Sequence, residues 1–177
     1  VLLYDYRGYG ESTGSPDEAG VYRDGEAALA ALVERAGDPS RVVLFGRSLG
    51  GGVSWELASR DPELAGIITD ATFTSIPRAA RNLPLFWLVS PILNTKMNNL
   101  ARVSEVTLPK LLMHGTEDEL LPFTMAEELR NAARPPVELV PLPEAGHNDT
   151  WVVQHELYLQ SIDRFVERLG LSTSADD

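Results

Sequence analysis

The strongest chemical signal in the sequence lies at residues 46–50, where Gly46-Arg47-Ser48-Leu49-Gly50 forms a G-x-S-x-G pattern. An apolar run at 42–45 precedes this pattern, and a helix-competent segment at 53–60 follows it. The order predicts a strand, a sharp turn and a helix, with Ser48 at the apex in a strained conformation and glycine on both sides because a Cβ there would clash. Such a nucleophile elbow exposes a serine hydroxyl. The plainer interpretation is a turn serine that N-caps the helix.

Asp118 and His147 are the residues that could act together with Ser48. Each of the three follows a short apolar run, and Gly115 and Gly146 allow the last two loops to turn back over the sheet. In open parallel sheets, functional groups collect at the carboxyl ends of the strands. Ser, Asp and His in this chain order, each at a strand end, therefore predict a catalytic triad of the kind that performs acyl transfer.

The elements that must position these residues alternate between short apolar runs and longer helical patterns. Strands are predicted at 1–4, 42–45, 64–69, 110–113 and 137–142, and helices at 17–35, 53–60, 123–133 and along a stripe of Trp151, Tyr158, Ile162, Phe165 and Leu169. Short connections between parallel strands require right-handed crossovers. The pattern predicts an α/β fold, with a mostly parallel sheet and helices on both faces.

Composition narrows the class of protein. The chain has 177 residues, 44% of them hydrophobic and 23% charged, which is typical of one globular domain, here expected at 1–171 with a disordered tail at 172–177. A net charge of -11 argues against nucleic acid and anionic membranes as partners. Without cysteine, the chain has neither disulfides nor thiol catalysis. The sequence does not assign a cellular compartment, and the cytoplasm is the default expectation. It also leaves membrane association and the oligomeric state open.

Taken together, five segments resemble the α/β-hydrolase superfamily. They most resemble its short-capped branch, which contains serine-aminopeptidase-like, monoacylglycerol-lipase-like and depalmitoylase-like proteins. The segments that carry the resemblance are residues 7–14, 46–51, 72–76, 114–118 and 146–149. The resemblance covers nearly the whole chain.

This resemblance implies a serine hydrolase that cleaves carboxylic ester or thioester bonds in a small-molecule or acylated substrate, without a cofactor or metal. Ser48 would be the nucleophile, His147 the general base and then acid, and Asp118 the carboxylate that orients the imidazole. The backbone N–H of Leu49 would supply one oxyanion donor. A serine peptidase acting on short peptides, a non-catalytic binding module and a dinucleotide-dependent oxidoreductase are the alternatives.

The N-terminal part of the sequence departs from the family pattern. The apolar run at 1–4 corresponds to the family's fourth strand, so the N-terminal strands are expected to be missing. The family's third strand would lie between residues 1–4 and 42–45, and its absence predicts either a gap in the sheet or a non-native pairing. The second oxyanion donor would also be missing, which predicts poor activity, since one donor is worth about a hundredfold to a thousandfold.

A further apolar cluster lies in the irregular segment 71–106, where the family inserts its cap. Phe73, Phe86 and Trp87 belong to this cluster and are expected to contact an acyl chain or another apolar group of the substrate. Ordinary packing between short helices is the alternative.

Several polar residues are weaker candidates. Asp70 also ends a predicted strand and is the alternative triad acid, although a helix-capping or loop role fits it better. His114 is expected to be a structural histidine, and His155 a half-buried packing residue on the last helix. A metal site formed by His114, Asp118, His147 and Asp149 matches no compact zinc motif. Gly8, Gly10 and Gly14 lack the spacing of a dinucleotide loop.

Overall fold

A computed structural model describes residues 1–81 and 95–171 of the chain. A single-turn 3₁₀ helix at Pro39–Arg41 precedes the first strand. The other elements, in chain order, are α1 (Glu18–Ala36), β1 (Val43–Arg47), α2 (Leu49–Arg60), β2 (Gly66–Asp70), α3 (Ile76–Ala80), α4 (Asn99–Val103), β3 (Lys110–Gly115), α5 (Thr124–Ala132), β4 (Val137–Leu142), α6 (Thr150–Val153) and α7 (His155–Arg168).

The described strands form one parallel sheet in the order β1-β2-β3-β4. The β1–β2 ladder ends with Arg47 opposite Asp70, and the β2–β3 and β3–β4 ladders are parallel as well. Because the carboxyl ends of parallel strands meet at one edge, the loops that follow β1, β3 and β4 come together there.

Helices cover both faces of this sheet. In β2, Ile67 packs into a core cluster with Trp55 of α2, whereas its neighbour Ile68 packs into a second cluster with Tyr158 of α7. Successive side chains of a strand point to opposite faces, so the two clusters lie on opposite sides of the sheet. The α/β fold class predicted from the sequence is therefore confirmed.

Helix α1 begins and ends close to the predicted positions 17 and 35. Its N-cap is Asp17, whose side chain accepts a hydrogen bond of 2.6 Å from the Gly20 N–H. At its C-terminus Gly37 adopts the left-handed conformation, with φ 73°, and its N–H donates to the Val33 carbonyl. These are the usual start and stop signals of a helix, and both are readable from residue type.

The predicted strand at residues 1–4 is wrong. These residues make no strand pairing, and Val1 and Leu3 are exposed. A cavity of about 440 Å³ lies between them and β1, and residues 1–4 form no non-native strand pairing. An apolar run becomes a strand only when a neighbour accepts its hydrogen bonds. In the described part of the chain β1 pairs only with β2, and Phe45 of β1 is 50% exposed.

The final helix also differs from the prediction, because it divides at Gln154 into α6 and α7. Tyr158 and Phe165 pack against the sheet as expected. The break puts α6 out of phase with this stripe, and Trp151 is 42% exposed instead of packing on the sheet. His155 is exposed as well, so its predicted half-buried role is wrong.

The irregular segment after β2 contains the short helices α3 and α4, as predicted. Residues 82–94, which include Phe86 and Trp87, lie outside the described residues, as does the tail at 172–177. The cap-like insertion and the disorder of the tail therefore stay predictions.

Truncating a leucine in the core should cost far more stability than truncating one on the surface. Leu129 of α5 is fully buried, so Leu129→Ala should lower the free energy of unfolding by about 2–5 kcal/mol. Leu159 of α7 is 46% exposed, and Leu159→Ala should change it by less than about 0.5 kcal/mol. Urea denaturation followed by circular dichroism measures both. Similar losses in the two variants would contradict the described core.

Candidate active site

The structure brings Ser48, Asp118 and His147 into one hydrogen-bonded chain. Ser48 follows β1, Asp118 follows β3 and His147 follows β4. His147 Nδ1 lies 2.7 Å from Asp118 Oδ2, and His147 Nε2 lies 3.1 Å from Ser48 Oγ. Three strand ends at one edge of the sheet thus bring together side chains that are up to 99 residues apart in sequence.

The order of these contacts fixes the direction of the hydrogen bonds. A carboxylate can only accept, so Nδ1 of His147 carries the proton that is donated to Asp118. In the neutral ring Nε2 then has a free lone pair, which accepts the Ser48 hydroxyl hydrogen. This tautomer is the one in which an imidazole can remove a proton from a serine.

Asp118 is buried yet held in its charged form. Burial by itself raises its pKa, but hydrogen bonds from His114, His147 and the backbone N–H of Leu121 outweigh burial and hold the pKa well below its usual range. Oδ1 accepts from the backbone N–H groups of Leu120 and Leu121, at 2.9 and 2.7 Å. This leaves Oδ2 for the imidazole of His147, with the imidazole of His114 farther away, at 3.4 Å.

His114 has the structural role predicted for it. It is buried, and its Nε2 lies 2.7 Å from the carbonyl oxygen of Leu121, which can only accept a hydrogen bond. Nε2 therefore carries a proton, and it also lies 3.4 Å from Asp118 Oδ2. His114 thus ties the loop after Asp118 to the end of β3.

Ser48 adopts the strained backbone predicted for the apex of the turn. Its φ is 49° and its ψ is -114°, a region that costs a residue with a side chain about 1–3 kcal/mol. Its N–H donates to the Asp70 carbonyl at 2.9 Å, and its carbonyl accepts from the Thr72 hydroxyl at 3.2 Å. Its side chain makes no capping hydrogen bond to α2, which excludes the plainer N-cap interpretation.

The glycines around the elbow differ from the prediction. A Cβ on Gly46 would lie closer than 3.0 Å to the Gly50 carbonyl oxygen and Ser54 Oγ, as expected. A Cβ on Gly50 would meet nothing nearer than the Tyr6 hydroxyl at 3.8 Å, so the second glycine of the pattern is not required sterically. Gly51 is required instead, because a Cβ there would clash with Thr72.

Asp70 is not the acid partner of His147. It is the last residue of β2 and is fully buried, so the predicted capping or loop role is also wrong. Its Oδ2 accepts from Thr150 Oγ1 at 2.9 Å and from the Tyr158 hydroxyl at 3.2 Å, and it lies 3.4 Å from Nε of Arg47. Burial raises the pKa of Asp70, although these three neighbours oppose the rise.

The structure does not test the predicted roles of the remaining site residues. Leu49 is the first residue of α2, where backbone N–H groups have no acceptor within the helix, so its oxyanion role stays a prediction. Phe73 is buried in a core cluster that includes Val53 of α2 and Met125 of α5. Its predicted contact with substrate therefore stays untested. Phe86 and Trp87 lie outside the described residues.

Within residues 1–81 and 95–171, no group of three or more His, Asp or Glu side chains is arranged to hold a metal ion. No helix in these ranges is both long enough and apolar enough to cross a membrane.

A family model described as the alpha/beta hydrolase fold matches residues 1–90. The chain belongs to the α/β-hydrolase fold family. Alpha/beta hydrolase domain-containing protein 17B of Homo sapiens is 36% identical to this chain over 176 residues, which cover 95% of this chain and 56% of that protein. Alpha/beta hydrolase domain-containing protein WAV2 of Arabidopsis thaliana is 33% identical over 195 residues, which cover 100% of this chain and 63% of that protein. The chain thus spans 56% and 63% of the length of these curated relatives.

Solved structures share the fold of this α/β hydrolase. An esterase of Pyrococcus furiosus superposes with a TM-score of 0.77 at 22% identity, covering 93% of this chain and 68% of that one. An acylaminoacyl peptidase of Pyrococcus horikoshii superposes with a TM-score of 0.73 at 14% identity, covering 89% and 29%. At such identities the similarity establishes the fold alone.

The two glycines of the elbow should respond differently to alanine. Gly46→Ala forces a Cβ into the backbone of α2 and should lower the free energy of unfolding by about 1–3 kcal/mol. Gly50→Ala replaces a helical glycine at which a Cβ makes only an ordinary van der Waals contact, so it should leave stability unchanged or raise it by up to about 1 kcal/mol. Urea denaturation of the two variants measures the difference. Equal losses would show that the second glycine is also constrained.

Asp118 should make stability depend on acidity. Its folded pKa lies below the unfolded value of about 3.9, so its stabilisation is present above that value and is lost as the pH falls toward the folded pKa. Between about pH 7 and pH 3, the free energy of unfolding should fall less in Asp118→Asn than in the parent chain. Urea denaturation at both pH values measures this. Glu119→Gln, which changes an exposed neighbour, is the control and should follow the parent.

Proposed function

We propose that this α/β hydrolase is a serine hydrolase that cleaves carboxylic ester or thioester bonds through an acyl-enzyme on Ser48. The observation that carries the proposal is the hydrogen-bonded chain from Ser48 Oγ through His147 to Asp118, with distances of 3.1 and 2.7 Å. Every link has the length and direction that nucleophile activation requires. A binding module that had lost catalysis would have no need for such a chain.

The proposed reaction follows from these contacts. Ser48 Oγ attacks the carbonyl carbon while its proton passes to His147 Nε2, and ionised Asp118 stabilises the imidazolium. The backbone N–H of Leu49 donates a hydrogen bond to the developing oxyanion. When the tetrahedral adduct collapses, the bond to the alcohol or thiol breaks and the leaving group takes the proton from Nε2. Water then attacks the acyl-Ser48 ester with the same proton transfers, releasing a carboxylic acid and restoring the serine.

Apolar side chains near the site favour an apolar acyl group. Leu49 follows Ser48 directly, Leu120 lies two residues after Asp118, and Trp151 lies four residues after His147. All three are exposed, at 36%, 39% and 42%. Exposed apolar groups therefore follow Ser48, Asp118 and His147, and contact with an apolar acyl group would bury them.

A serine peptidase is the second candidate, because ester and amide hydrolysis use the same residues. The shared fold does not choose between them, since the fold neighbours include both an esterase and an acylaminoacyl peptidase. The preference for esters and thioesters comes from the resemblance of the sequence motifs. A direct comparison of ester, thioester and amide substrates decides between the two candidate functions.

The activated serine can be tested with a fluorophosphonate, which phosphonylates nucleophilic serines, followed by intact-mass measurement. We expect one adduct on the parent chain and none on Ser48→Ala. Ser59→Ala, a substitution on the same helix, is the matched control and should label like the parent. Ester turnover by Ser48→Ala should fall by up to about a millionfold. A folded parent chain without an adduct, or an adduct that persists in Ser48→Ala, would refute the proposal.

The substrate class can be tested with matched acyl groups on a p-nitrophenyl ester, a thiocholine thioester and a p-nitroanilide. The chain has no cysteine, so a thiol reagent detects the released thiol without a background from the protein. We expect kcat/KM for the ester and thioester to exceed that for the anilide. A higher value for the anilide would favour the peptidase.

A further inference from the structure

Arg47 joins the nucleophile elbow to the loop that carries His147. It is the last residue of β1 and directly precedes Ser48. Its Nη2 donates to the backbone carbonyl of His147 and, at 3.1 Å, to Asn148 Oδ1. The guanidinium also lies over the Trp151 ring, 5.0 Å from its centroid. One side chain from the elbow thus touches three residues in or just after the histidine loop.

Arg47 also forms an ion pair with Asp70 of the neighbouring strand. The two residues are opposite each other in the β1–β2 ladder, and Nε lies 3.4 Å from Oδ2 of the fully buried carboxylate. Thr150 and Tyr158 donate to the same oxygen and fix its position. A buried carboxylate needs a cation beside it, so Arg47 and Asp70 hold each other in place.

We propose that Arg47 is a positioning residue that fixes the backbone of His147 relative to Ser48, with Asp70 as its anchor. Asp118 orients the ring, whereas Arg47 holds the main chain from which the ring projects. Both restraints are needed, because a displacement of about 1 Å can cost a hundredfold in rate. The catalytic consequence of this inference rests on the proposed function.

The geometry requires arginine rather than lysine. Nε faces Asp70 while Nη2 faces the histidine loop, and the planar group stacks on an indole. A lysine has one nitrogen, which cannot serve both directions, and it has no flat face. Arg47→Lys should therefore keep the charge beside Asp70 and lose the link to His147.

The kinetic test compares Arg47→Ala and Arg47→Lys with the parent on a p-nitrophenyl ester. We expect kcat to fall about tenfold to a hundredfold in both variants, with KM changed by less than about threefold. Added guanidinium ion at low concentration should restore part of the kcat of Arg47→Ala but not that of Arg47→Lys, whose side chain fills the site. Arg168→Ala, which removes an exposed arginine paired with Glu138, is the control and should keep the parent kcat.

A second readout does not need activity. The proton between His147 Nδ1 and Asp118 Oδ2 should give a low-field NMR signal, assigned by its loss in His147→Ala. This signal should shift or broaden in Arg47→Ala and Arg47→Lys and be unchanged in Arg168→Ala. If Arg47→Ala does not fold, Arg47→Lys carries the same test.

The outcomes separate this inference from the proposed function. If the parent takes up fluorophosphonate while the folded Arg47 variants keep the parent kcat and NMR signal, the positioning role is overturned and the proposed function stands. If the parent takes up no fluorophosphonate but the signal shifts in both Arg47 variants, the proposed function fails and the positioning role stands.

Discussion

The hydrogen bond from the Ser48 N–H to the Asp70 carbonyl extends the β1–β2 ladder one residue past Arg47, and the candidate site depends on it. This bond fixes the elbow to the end of β2 before the chain turns into α2. Thr72 adds a second tie, since its hydroxyl donates to the Ser48 carbonyl and its side chain packs against Gly51. The apex is therefore held by the neighbouring strand as well as by its own helix. A strained residue persists when its surroundings determine it in this way.

Much of this arrangement could be predicted from the sequence, because the signals were local. The β4 strand at Val137–Leu142 has the predicted bounds, and Asp17 and Gly37 marked the ends of α1. Ser48, Asp118 and His147 could be chosen because each followed a strand, and the parallel sheet then brought them together.

The errors concern interactions with distant partners. Residues 1–4 are apolar enough for a strand, but pairing depends on a neighbour that the described chain does not place beside them. Trp151 fits the apolar stripe of α7, but the break at Gln154 turns it toward Arg47. Helix α2 begins at Leu49, four residues before the predicted start at 53. Its first turn contains glycines, which have a low helix propensity, so propensity alone places the start too late. Contacts with Thr72 and Met97 favour glycine at these positions.

Asp70 and Asp118 show why residue type alone could not choose the acid. Both are fully or nearly fully buried carboxylates at or after a strand end. Backbone N–H groups satisfy one oxygen of Asp118, which leaves the other for His147, and its pKa is held low. Oδ2 of Asp70 accepts hydrogen bonds from Thr150 and Tyr158, and burial raises the pKa of this carboxyl group. A carboxylate whose pKa is held low stabilises an imidazolium better than one whose pKa is raised by burial. The environment of each carboxylate, set by residues far apart in sequence, assigns Asp118 to the histidine and leaves Asp70 to hold Arg47.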